Sequence, residues 1–86
     1  MATDARVSVL VAEDEPPARA GLRALLDEVE WLSCVGEAAS GPAAVAAIDA
    51  LKPDLVFLDI EMPGCSGLEV LRRATHRAHV VFTTAY

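Results

Sequence analysis

The stretch Leu55-Val56-Phe57-Leu58-Asp59-Ile60-Glu61-Met62-Pro63-Gly64 decides the fold. Its first four residues are apolar without interruption, and Val and Phe favour extended backbone. Such a run reads as a strand buried on both faces, as in a parallel sheet, rather than one with a solvated side. The run ends on a carboxylate, Asp59, and breaks into a loop carrying Pro63, Gly64 and Gly67. Just upstream, Lys52-Pro53-Asp54 stops a helix, because proline disfavours helical geometry in the residue before it.

Working outward, Val7-Ser8-Val9-Leu10-Val11 is a second β-branched apolar run and reads as another buried strand. Glu13-Asp14-Glu15 follow it, then Pro16-Pro17. Proline suits the first turn of a helix and carboxylates favour that end of the dipole. Leu22, Leu25, Leu26 and Val29 recur at i, i+3, i+4 and i+7, which predicts one apolar helix face. A strand is predicted over 31–35, ending near Gly36, and Gly41-Pro42 opens a helix with Val45, Ile48 and Leu51 facing inward. A short helix over 68–74 and a fourth strand over 80–83 complete the series.

The alternation is β-α-β-α-β-α-β. Crossovers of this length predict an α/β fold with parallel strands and helices on both faces. A flavodoxin-like strand order of 2-1-3-4 is expected.

Composition narrows the function. The chain has 86 residues, enough for one domain, and a formal net charge of −6. Nucleic-acid binding needs clustered Lys and Arg, so this chain is not expected to contact nucleic acid directly. No apolar run approaches the ~20 residues of a membrane span, and the first residues lack the basic and apolar regions of a secretory signal. Cys34 and Cys65 are far apart and form no metal-ligand pattern, which fits reduced thiols in the cytoplasm. His76 and His79 lie in a polar connection and are expected to be exposed. Trp31 is expected to pack in the core or at its rim.

The acids carry the chemistry. Glu13 and Asp14 lie just past the carboxyl end of the first strand, and Asp59 lies at that end of the third. In open α/β sheets, ligands bind outside these ends where strand order reverses, and strands one and three flank that point. Three carboxylates in one crevice repel, so at least one should have a raised pKa unless a cation joins them. All-oxygen ligands suit Mg²⁺ better than zinc. An aspartate there can act as a nucleophile toward a phosphoryl group. Thr84, just past the fourth strand, is placed to hydrogen-bond a phosphoryl oxygen.

These residues resemble the receiver domains of two-component response regulators. Val9-Leu10-Val11-Ala12-Glu13-Asp14-Glu15-Pro16 resembles the family's first strand and acidic pair. The 55–64 stretch resembles the phosphoacceptor strand and loop, with Gly67 at the family's loop glycine. Phe82-Thr83-Thr84-Ala85 resembles the strand that ends in a hydroxyl residue followed by alanine. The resemblance implies that Asp59 accepts a phosphoryl group from a sensor histidine kinase. It implies that Glu13, Asp14, Asp59 and the Glu61 backbone carbonyl hold Mg²⁺, and that Thr84 and the Ala85 backbone amide contact phosphoryl oxygens. The run Asp14-Glu15-Pro16-Pro17-Ala18-Arg19 is most similar to receivers joined to LytTR-type DNA-binding domains.

Two departures from the family pattern bear on activity. Glu13 stands where many receivers carry aspartate. The family's final α-β-α segment and its essential lysine have no counterpart in residues 1–86, so the chain is expected to be the N-terminal part of a receiver, impaired in signalling. Lys52, the single lysine, precedes the third strand and is expected roughly 20 Å from Asp59 at 3.3 Å per residue. The fourth strand is expected to be an uncovered edge that drives homodimerisation or higher self-association.

The chain is thus expected to be a signalling module and not an enzyme. A phosphorylation-independent interaction or dimerisation module is the alternative. A haloacid-dehalogenase-type phosphatase also uses a strand-end aspartate and Mg²⁺, but it wants a second aspartate two residues on, where Glu61 stands.

Overall fold

The computed structural model of the protein describes residues 6–83. Its elements run β1 (Val7–Ala12), α1 (Pro16–Asp27), β2 (Leu32–Ala38), α2 (Gly41–Leu51), β3 (Leu55–Asp59), α3 (Gly67–Arg73) and β4 (His79–Thr83). The strands form one sheet in the order β2-β1-β3-β4, and each adjacent pair is parallel. This is the flavodoxin-like order that the alternation predicts.

Both faces of the sheet are used because the central strands are uninterruptedly apolar over 9–12 and 55–58. Leu10, Ala12, Val56 and Leu58 point to one face and pack with Ala44 and Ile48 of α2, Val70 of α3 and Ala74. Val9 and Val11 point to the other and pack with Leu26 of α1. Alternating direction along a strand sends neighbouring residues to opposite layers, which is why the periodicity looks uniform rather than alternating.

Local chemistry sets the helix ends. The Ser40 hydroxyl accepts from the Ala43 amide and the Ser66 hydroxyl accepts from the Glu69 amide, each at 3.2 Å, capping α2 and α3. Helix α1 has no side-chain cap and starts with proline instead. At the end of α2, Lys52 adopts a left-handed conformation with φ 48°, and its amide donates to Ile48.

The structure differs from the sequence expectation in five places. Strand β2 does not stop at Gly36 but continues to Ala38. Its pairing with β1 slips where Val9 faces Cys34 and Leu10 faces Gly36, so Val35 is left out of register. Gly36 there marks a close approach: a Cβ would lie 2.7 Å from Leu51 Cδ1. Leu25 is 65% exposed although it shares the apolar spacing of Leu22 and Leu26, and Trp31 is 64% exposed rather than packed. Leu51 is also exposed. His76 is not a free loop residue, because its ring Nε2 lies 2.8 Å from the Pro53 carbonyl and its amide donates to Asp49.

Strand β4 is the edge beyond β3 among the described residues. Val81 and Phe82, which point to opposite faces, are 42% and 40% exposed. Neither layer extends fully over this strand.

Candidate functional site

Parallel register assembles the site. Ala12 pairs with Leu58, so Glu13 and Asp59 leave adjacent strands at the same level, and Asp59 pairs with Thr83 on the other side. The β1 strand ends because the chain turns into the proline-started helix, which puts Asp14 beside Glu13 at the same crevice. One carboxylate oxygen from each of Glu13, Asp14 and Asp59 lies within 4.8 Å of the others. The three acids that the sequence analysis singled out therefore meet.

Asp59 is the one charged residue classed as buried among the described residues, at 8% exposure. Its Oδ1 accepts from the Glu61 amide at 3.2 Å, which fixes the rotation of the carboxylate. The loop behind it is held by the Gly67 amide, which donates to the Ile60 carbonyl at 2.7 Å. The Glu13 Oε2 accepts from the Glu15 amide at 3.1 Å, and the Glu13 amide donates to the Ala38 carbonyl at 2.9 Å.

Burial pushes the Glu13 carboxyl above its ordinary 4.5; the Glu15 amide pulls it down, and neighbouring Asp59 and Asp14 push it up again. A hard divalent cation fits this group, since every donor is oxygen and no Cys or His joins the cluster. The donor set disfavours zinc.

The remaining sequence expectations divide. Glu61 lies in the loop two residues past Asp59, with its amide on the Asp59 carboxylate. Thr84 and Ala85 lie outside the described residues. Lys52 caps α2, before β3 begins, and Asp59 is the last residue of that strand. His76 and His79 do not join the acid group. Sequence reasoning passed over Thr83, whose Oγ1 is buried with no hydrogen-bond partner among the described residues and which faces Asp59 across the ladder. The signal was available in the equal spacing of the two apolar runs, which pairs Leu58 with Phe82 and so Asp59 with Thr83.

Comparison with known proteins gives a consistent answer. Residues 9–86 match the response regulator receiver domain family. The transcriptional regulatory protein BtsR of Salmonella typhi is 44% identical over 82 residues, covering 93% of this chain and 34% of that protein. An uncharacterized response regulatory protein of Vibrio vulnificus is 43% identical over the same share of each. The chain thus spans about a third of the length of these curated relatives. Among solved structures, the signal receiver domain of NarL from Mycobacterium tuberculosis superposes with a TM-score of 0.86 at 34% identity, covering 94% of this chain and 68% of that one. The response regulator domain of Thermotoga maritima CheB gives 0.83 at 29% identity, covering 93% and 61%. On the family match, the relatives and the shared fold together, the chain belongs to the response regulator receiver domain family.

Proposed function

We propose that this chain is the N-terminal part of a phospho-accepting receiver, taking a phosphoryl group on Asp59 from a sensor histidine kinase with Mg²⁺ bound. The observation that carries this reading is the meeting of three carboxylates from two strand ends around a buried aspartate. Glu13, Asp14, Asp59 and the Glu61 carbonyl are the proposed ligands. Bound Mg²⁺ would neutralise charge on the transferring group.

The chain's own residues supply the rest. The Asp59 carboxylate attacks phosphorus, the bond to the donor nitrogen breaks, and an acyl phosphate forms on Asp59. The Glu61 amide, already on Asp59 Oδ1, keeps the nucleophile oriented. By family resemblance, the Thr84 hydroxyl and the Ala85 amide contact the phosphoryl oxygens. Lys52 is the single lysine among residues 1–86 and belongs to the α2 terminus, before β3 begins.

The output is proposed to be transcriptional, through a LytTR-type DNA-binding domain, as supported by the regulatory relatives. Direct nucleic-acid contact by these residues is disfavoured by the net charge of −6. No helix among the described residues is long and apolar enough to cross a membrane, which fits a cytoplasmic module. The exposed Val81 and Phe82 on edge strand β4 favour a second reading, self-association through that strand independent of phosphorylation.

Acetyl phosphate and Mg²⁺ test the first reading. A single phosphoryl adduct by mass spectrometry, absent in Asp59→Asn, is the expected outcome. No adduct in the unsubstituted protein overturns it. Light scattering at micromolar concentration tests the second, and a monomer defeats it.

A further inference from the structure

The β1–α1 turn that carries Glu13 and Asp14 is held by a side chain from the next helix. Arg19 Nη1 donates to the Glu13 carbonyl at 2.7 Å, and Arg19 Nε pairs with Glu37 Oε1 at 3.1 Å. The arginine is largely covered, with 21% of its side chain exposed. Register explains the meeting. Glu37 pairs with Val11 on the sheet face that α1 covers, and one turn of α1 puts Arg19 and Arg23 over the same spot. Arg23 Nη1 takes the other Glu37 oxygen at 2.7 Å, while Arg23 Nε pairs with Asp27.

The two arginines therefore share one partner but differ in one contact. Arg19 alone reaches the backbone between the two acids. Together with the Glu13 amide on the Ala38 carbonyl, this fixes both sides of the Glu13 residue. The peptide linking Glu13 to Asp14 sets where both carboxylates begin. Glu37 offsets the guanidinium charge that would otherwise repel a cation in the neighbouring pocket.

We infer that Arg19, held by Glu37, is a positioning residue that orients Glu13 and Asp14 for a divalent cation. This inference rests on the metal-site reading above. The guanidinium fork matters because it serves two acceptors at fixed geometry, which a lysine ammonium on a flexible stem does not reproduce.

The test titrates the 86-residue chain with Mg²⁺ and follows the Asp14 and Asp59 amides by NMR. Urea unfolding of the metal-free chain is measured in parallel. Arg19→Ala should weaken Mg²⁺ binding about tenfold, the loss typical of removing an outer-shell partner. Arg23→Ala should lower stability yet bind Mg²⁺ within about twofold of the unsubstituted chain. Arg19→Lys should recover stability but not affinity, and Glu37→Gln should weaken binding much less in the Arg19→Ala background than alone. Without metal, the Glu13 carbonyl carbon shift should move in Arg19→Ala and Arg19→Lys but not in Arg23→Ala.

Equal Mg²⁺ affinity in Arg19→Lys and the unsubstituted chain would overturn the inference, and so would equal weakening by Arg19→Ala and Arg23→Ala. An unsubstituted chain that binds no Mg²⁺ defeats the metal-site reading itself and this inference with it, a failure visible before any substitution is made.

Discussion

Gly67 approaches Asp59 so closely that a Cβ on the glycine would lie 2.5 Å from the Asp59 carbonyl oxygen and 3.1 Å from Ile60 Cα. The obstructing atoms are backbone, so no rotamer change can relieve the clash. Gly67→Ala should therefore destabilise the chain by about 1–3 kcal/mol, as overpacking does, and should shift the Asp59 and Ile60 amides. Gly21 provides the contrast. It lies inside α1 with nothing within 4 Å of a built Cβ, so Gly21→Ala should stabilise by about 0.5–1 kcal/mol. Urea unfolding of the two variants checks both signs.

Lys52 ends α2 in a left-handed conformation that a side chain tolerates poorly. Glycine is the residue favoured at such a helix end. Lys52→Gly should raise stability by up to about 1 kcal/mol, less the extra entropy glycine loses on folding. A lower urea midpoint would show that the lysine side chain contributes more than its backbone costs.

Ser8 and Asp54 tie the amino ends of β1 and β3. The Asp54 carboxylate accepts from the Ser8 amide at 2.9 Å and from its hydroxyl at 3.1 Å, and the Asp54 amide donates back to Ser8 Oγ at 2.9 Å. These bonds, Ser8's backbone amide first, hold the Asp54 carboxyl below its ordinary 3.8, with His76 and His79 adding to the effect. A depressed acid contributes stability above its unfolded pKa and loses it as pH falls through the folded value. Asp54→Asn should thus lower the melting temperature at pH 7, and the gap to the unsubstituted chain should close below pH ~3.8. A gap that stays constant with pH would show that ionisation of Asp54 is not coupled to folding.

Most of the architecture was legible because β1 is apolar throughout 9–12 and β3 throughout 55–58, which only a doubly covered parallel strand requires. The acid trio was legible for the same reason: once two strands are adjacent and parallel, their terminal acids share a level. What the sequence hid depends on contacts between distant residues. Gly36 looks like a strand end, yet it accommodates Leu51 while Val35 bulges from the ladder. Leu25 keeps the helical spacing of a core residue but stands exposed. Arg19 reads as an ordinary helix charge until register brings Glu37 beneath it. The charge pattern of one segment cannot disclose a partner on another.

Glu13 sets stability against binding. Its carboxyl is pushed upward by burial first, then by the Asp59 charge and by hydrogen bonding with Asp59 and Asp14, so the metal-free fold resists its ionisation. Below 4.5 the group is protonated in both states and costs nothing; as pH rises through the raised folded value, the unfolded chain ionises more easily and stability falls. Glu13→Gln removes that charge, so it should raise the metal-free melting temperature at pH 7 and lose its advantage near pH 4. The same substitution removes one of the three clustered carboxylates and should weaken Mg²⁺ binding by at least about tenfold. Calorimetric melting with and without Mg²⁺ checks both, and the order of the two chains should reverse as the cation is added. A Glu13→Gln chain that is less stable without metal would mean that the hydrogen bond from Glu15 outweighs the repulsion within the pocket.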